Sequence, residues 1–140
     1  MGKSFRRAVL LDSSAVLALL DADDVNHGAA RTIAAVLGGE HRPVFITNYI
    51  EAEAHALLLA RLGRAAAHEW IARSGLEVIH ASRAEESLGK ELLTTFEDKN
   101  WSYCDVLSFA VIGTRHAAGA FSFDHPFLQY GRFRVWGARR

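Results

Sequence analysis

Disulfide chemistry is excluded at the outset, because Cys104 is the one cysteine in the chain. A lone thiol cannot close an internal bridge, and a reducing cytoplasm is the expected compartment. Proline is scarce as well, with two residues in 140. Half the residues are hydrophobic, so long disorder is not expected. No uninterrupted apolar run approaches the roughly 18 residues of a membrane helix. Arg6 and Arg7 precede an apolar run in the manner of a secretory leader. Asp12 interrupts that run, and Asp21, Asp23 and Asp24 stand where small cleavage residues would be needed. A soluble protein is expected, with no membrane partner. Net charge of either sign is also missing, since 16 Lys and Arg balance 16 Asp and Glu. A general nucleic-acid coat would be basic, which this chain is not. The charge is unevenly spread, however. Arg132, Arg134, Arg139 and Arg140 crowd a tail without acids. That tail reads either as a local phosphate-binding patch or as a solvated terminus.

What is present alternates. The length fits one domain, residues 1–140, large enough to bury a core without staples. Ala8 to Leu11 reads as a buried strand ending at Asp12, and Ser13 to Leu20 as a helix. A second helix from about Val25 is expected to stop at Gly38-Gly39. Pro43 to Thr47 reads as a strand. The next helix is expected to be capped by Asn48 with Glu51, and to end at Gly63 after Arg61. Ala65 to Arg73, ended by Gly75, reads as a helix, and Leu76 to His80 as a strand. Ser82 with Glu85, and Ser102 with Asp105, look like capping boxes for helices reaching about Phe96 and His116. Ala120 to Phe123 and Phe133 to Trp136 complete five strands, with a short helix near Pro126 between them. Alternation of this kind implies a mostly parallel sheet with helices on both faces.

Four acids fall where such a sheet places its ligand sites, beyond the carboxyl ends of the strands. Asp12 follows the first strand and Asp124 the fourth. Asp105 opens the helix that leads into the fourth, and Glu53 lies in the second turn after the second strand. Converging carboxylates repel unless a cation neutralises them. Magnesium prefers such oxygen donors, and phosphodiester cleavage uses them. Each acid also has a structural account: Asp12 and Asp105 as helix caps, Asp124 as a turn residue. Glu53 is harder to explain that way, because it interrupts the apolar stripe of Tyr49, Ile50, Leu57 and Ala60.

Four stretches in series then carry a resemblance: Val9 to Ala15 (VLLDSSA), Thr47 to Glu53 (TNYIEAE), Trp101 to Ser108 (WSYCDVLS) and Phe121 to Asp124 (FSFD). Their order and spacing, across nearly the whole chain, resemble the PIN domain and, within it, VapC-type toxins of toxin–antitoxin pairs. The resemblance implies a three-layer α/β/α fold with a central, mostly parallel five-stranded sheet. It implies an endoribonuclease dependent on Mg²⁺ or Mn²⁺, with Asp12, Glu53, Asp105 and Asp124 as catalytic and metal-binding acids. Ser14 and Ser122 match polar positions beside them, as substrate-binding candidates. A homodimer and a cognate antitoxin protein are implied as partners, with RNA as substrate. A PIN nuclease of RNA processing, or a module that binds RNA or protein without cutting, is the alternative.

Other features point elsewhere or nowhere. An aspartate-nucleophile phosphatase wants a second acid two residues after Asp12, where Ser14 stands. His68-Glu69 lacks the second histidine of a zinc-protease helix. Cys104, Trp70, Trp101 and Trp136 read as packing residues. Asp21, Asp23 and Asp24 read as a solvated loop, and Asp98 as a marginal metal candidate.

Overall fold

The computed structural model describes residues 4–139. Arg140 of the basic tail lies outside them. The elements run β1 Val9–Leu11, α1 Ser13–Leu20, α2 His27–Gly39, β2 Val44–Thr47, α3 Asn48–Leu62, α4 Arg64–Arg73, β3 Glu77–Ile79, α5 Arg83–Thr95, α6 Tyr103–Arg115, β4 Gly119–Ser122, α7 His125–Tyr130 and β5 Arg134–Gly137. Val9, Leu10 and Leu11 are all buried, as a strand covered on both faces must be. β1 accordingly lies at the centre of a five-stranded sheet of order β3-β2-β1-β4-β5. Every neighbouring pair is parallel, so the sheet is wholly rather than mostly parallel. Among the helices, α1 packs with α2 and α3, α3 with α4, and α5 with α6 and α6 with α7. Two helical groups thus flank the sheet in the expected α/β/α arrangement.

The strand order reverses between β1 and β4. The chain builds outward from β1 through β2 to β3, then returns to the other side of β1 with β4 and β5. Open α/β sheets form their crevice at such a switch point. Asp12 leaves β1 and Asp124 lies two residues beyond β4, so both stand at that crevice.

Local signals explain most helix ends. Ser82 and Ser102 make full capping boxes with Glu85 and Asp105. Gly63 follows α3 with a φ of 91°, a backbone that glycine tolerates. One expected signal acts otherwise. Thr47, not Asn48, caps α3: its Oγ1 accepts from the Ile50 N–H at 3.1 Å. Asn48 instead accepts the Ala81 N–H at 3.1 Å and ties α3 to the segment after β3. α2 does end at the expected Gly38-Gly39 pair, but with both glycines inside its last turn, and His41 turns the chain with a φ of 55°.

Glu85 does more than cap. Its side chain is buried, and it accepts from Arg115 Nε at 2.9 Å, from Arg115 Nη2 at 2.8 Å and from the Thr114 hydroxyl. Burial opposes its ionisation, but Arg115, the Ser82 N–H and Thr114 together hold its carboxyl down to about 2. A depressed carboxyl stabilises the fold above its unfolded pKa, and that contribution is lost as pH falls toward 2. Arg115→Ala strands this buried charge between α5 and α6. Urea unfolding at pH 7 is expected to show a loss of roughly 3 kcal/mol.

Candidate active site

Asp12 forms the floor of the crevice and is 1 % exposed. It caps α1, with Oδ2 facing the Ser14 N–H at 3.4 Å, and the same oxygen accepts Ser14 Oγ at 2.7 Å. Ser122, fully buried at the end of β4, donates to that oxygen at 2.9 Å. The two hydroxyls also lock the last acid in place. Ser14 Oγ accepts the Phe123 N–H, and Ser122 Oγ accepts the Asp124 N–H, each at 3.0 Å. Capping and site-building are therefore the same act at Asp12. Ser14 and Ser122 touch an acid, and Ser122 is more than strand packing.

Glu53 stands half-buried on the α3 wall, where Ser13 Oγ donates to its Oε1. Sequence reasoning missed Ser13. Its only signal was adjacency to Asp12, and nothing in the sequence shows that a serine will bridge 40 positions to α3. Asp105 stands on the α6 wall, where its Oδ2 accepts the Ser102 N–H at 3.1 Å. Trp101, just before this cap, is pinned by Nε1–H to Gln129 Oε1 at 2.8 Å and packs edge-on to Phe109. The entry to α6, and with it Asp105, is thereby anchored. Asp124 sits at the open rim.

Electrostatics place all four acids in one neighbourhood. Burial pushes the Asp12 carboxyl up to about 7; Ser14 pulls it down, Asp124 pushes it up, Ser122 pulls it down and Asp105 pushes it up again. Asp105 is raised by burial, against the Ser102 bonds, and further by the charges of Asp124 and Glu53. Asp124 is raised by burial and by Glu53, while a hydrogen bond with Asp12 lowers it. Half-buried Cys104 faces the same cluster. Its thiol is raised by burial and then by the charges of Glu53, Asp12 and Asp105, so it stays protonated at neutral pH. Among the described residues none of the four acids has a salt-bridge partner. Among the described residues no three His, Cys, Asp or Glu side chains stand together as a ready-made metal site.

A cleft of about 340 Å³ is lined by Ser13, Ser14, Glu53, Asp124, Asp24 and Arg61 among others; of the four acids only Glu53 and Asp124 line it, and Asp12 lies buried behind Ser14. Arg61 was expected only as a helix-end charge. Its Nη1 lies 3.8 Å from both Asp21 Oδ2 and Asp24 Oδ2, which hold a cation on the cleft wall. Of the acids after α1, Asp21 and Asp24 are therefore not solvated as expected, whereas Asp23 is exposed. Asp21 is buried and accepts the Asp23 N–H, and Asp24 accepts the Asn26 N–H. Asp98 is exposed, pairs with Lys99 and does not line the cleft.

The chain as a whole has counterparts among known proteins. In Mycobacterium tuberculosis, strains CDC 1551 / Oshkosh and ATCC 25618 / H37Rv, the 23S rRNA-specific endonuclease VapC20 is 30% identical to this chain over 131 residues. The match covers 91% of this chain and 97% of the relative. The chain belongs to the VapC endonuclease family. The crystal structure of M. tuberculosis VapC20, described as a Sarcin-Ricin loop cleaving toxin, matches the fold with a TM-score of 0.76 at 27% identity. It covers 88% of this chain and 95% of that one. No family model matches the chain. None of its described helices is long and apolar enough to cross a membrane.

Proposed function

We propose that the chain is a PIN-type endoribonuclease dependent on Mg²⁺ or Mn²⁺, and that it serves as the toxin of a toxin–antitoxin pair. The observation carrying this reading is the convergence of Asp12, Glu53, Asp105 and Asp124 at the switch point, with no described cation paired to them. The donor set suits a hard dication, being all oxygen. Magnesium commonly takes one or two carboxylates directly and keeps waters for the rest. Asp12, Glu53, Asp105 and Asp124 would hold the ion, directly or through water. A dication bound there supplies Lewis-acid activation of water and neutralises charge on the phosphate.

The chain's own groups do the rest. Ser14 and Ser122 fix Asp12 Oδ2 by two hydroxyl bonds, so the floor carboxylate keeps one orientation. Ser13 orients Glu53, and the Ser102 amide orients Asp105. Arg61 stands on the cleft wall, held by Asp21 and Asp24. Fixed groups of this sort lower the reorganisation needed in the transition state. Ser13→Ala releases Glu53 and is expected to weaken Mn²⁺ affinity about tenfold, the usual scale for a lost orienting bond. Titration of Mn²⁺ against wild type and variant checks it.

The relatives' named substrate, 23S rRNA, is the first RNA to test. Purified protein is incubated with ribosomes, with and without Mg²⁺, and cut ends are mapped by primer extension. Metal-dependent cleavage at a defined site supports the reading. Cleavage that EDTA leaves unchanged would sink the metal dependence. A cognate antitoxin and a homodimer belong to the same proposal. Leu20, Leu58, Leu62, Ala66 and Trp70 line an apolar hollow beside α3 and α4, which supports a second copy there. Light scattering at micromolar concentration checks the dimer.

A further inference from the structure

The acid cleft adjoins a second, larger hollow. It measures about 700 Å³ and lies between α2 and β5, bordered by Thr32, Ile33, Trp136 and Arg139. The two hollows share Asn26 and Phe123. We propose that the second hollow seats the single-stranded RNA nucleotides next to the cut phosphodiester, with Phe123 as the platform for the first base. This rests on the nuclease reading above and extends it to the path of the substrate.

The case begins with Phe123 itself. Its half-buried ring borders both hollows, one residue before Asp124. The ring is held on several sides. Its backbone N–H donates to Ser14 Oγ, its edge meets Phe121 at 5.9 Å, and Gly137 lies against it. A Cβ on Gly137 would stand 3.3 Å from Phe123 Cδ1 and 2.5 Å from the Ser122 carbonyl oxygen, so this contact needs glycine. A rigid aromatic ring beside a reaction centre is a stacking surface that any base can use.

Charge points the same way. No acidic side chain lines the second hollow, and Arg139 does. Arg134 and Arg42 lie outside the lining and stack on Trp136, with their guanidinium carbons 4.2 and 5.3 Å from its ring, and Arg42 is paired with Glu40 at 2.6 Å, so Arg139 carries the charge argument. The acid cleft repels a polyanion until a cation fills it, whereas this hollow attracts one. A strand crossing the acids would meet Arg61 on one side and Arg139 on the other.

The test uses the full chain carrying Asp12→Asn, so that bound RNA is not cut. Fluorescence anisotropy follows a labelled, unstructured RNA of ten nucleotides. Phe123→Ala is expected to weaken binding about tenfold, and Phe123→Trp to retain it. Arg139→Ala is expected to reduce the salt slope of log K by about 0.7, the share of one phosphate contact on a single strand. Thermal melts verify that each variant is folded. Unchanged affinity and slope in folded variants would place the hollow off the RNA path and leave it to a protein partner. Absence of any RNA binding by the parent would overturn the proposal too. Cleavage by wild type separates the two readings. RNA binding that depends on Phe123 and Arg139 without metal-dependent cutting would sink the nuclease and keep the seat. Cutting with indifferent variants would do the reverse.

Discussion

Asp12→Asn is expected to reduce RNA cleavage at least about a hundredfold while raising the thermal midpoint measured without divalent metal at pH 8. The two effects share one cause. Asn retains an oxygen that accepts from Ser14 Oγ and Ser122 Oγ, so the floor of the crevice keeps its shape. It removes the charge that burial, Asp124 and Asp105 all oppose. A carboxyl raised above its unfolded value binds more protons folded than unfolded. Its penalty is absent below pH about 4 and grows as pH rises through about 7. A rise from 3.8 to about 7 corresponds to roughly 4 kcal/mol at most, shared with the neighbouring acids. Asp105 and Asp124, also raised, add to the same slope. The metal-free wild type should therefore melt at higher temperature at pH 5 than these groups permit at pH 8. Added Mg²⁺ should remove that difference in wild type and do little for the variant. A variant less stable than wild type at pH 8, yet fully folded, would contradict the electrostatic account.

Gly119→Ala is expected to remove upward of about 3 kcal/mol and abolish activity together. Gly119 pairs with both Val9 and Arg134, in the middle of the sheet. A Cβ there would lie 2.0 Å from the Arg134 carbonyl oxygen and 2.8 Å from its carbon. Both atoms are backbone of the paired strand, so no side chain can swing aside. β5 must move away, and β5 carries Gly137, which packs against Phe123. The damage thus runs from a ladder position to the rim of the active site. Chemical denaturation gives the stability loss. A folded, active Gly119→Ala protein would show that β5 yields freely.

Much of this was readable from the chain because the signals were local. A strand of buried apolar residues followed by an acid places that acid at a strand end, and the order of five such strands builds the sheet. Capping boxes at Ser82 and Ser102 are complete within four residues, and the structure shows both. The sequence misled where two local options competed. Thr47 and Asn48 can each cap α3, and only the partner of Asn48 at Ala81, 33 residues away, decides which does. Gly38-Gly39 reads as a stop, and α2 ends on Gly39 with both glycines in its last turn. What could not be read at all were side chains joined across long spans: Ser13 to Glu53, Arg61 to Asp21 and Asp24, Arg115 to Glu85. Those pairings exist only once α1, α3, α5 and α6 have packed.

Isothermal calorimetry of Mn²⁺ into metal-free protein, near pH 6.5 and in buffers of different ionisation enthalpy, tests the electrostatic core of this account most directly. The prediction is saturable uptake at millimolar concentration or below, with protons released as raised carboxyls ionise on binding, and both signals diminished in Asp12→Asn. No uptake at millimolar Mn²⁺, or uptake that the substitution leaves intact, would contradict it.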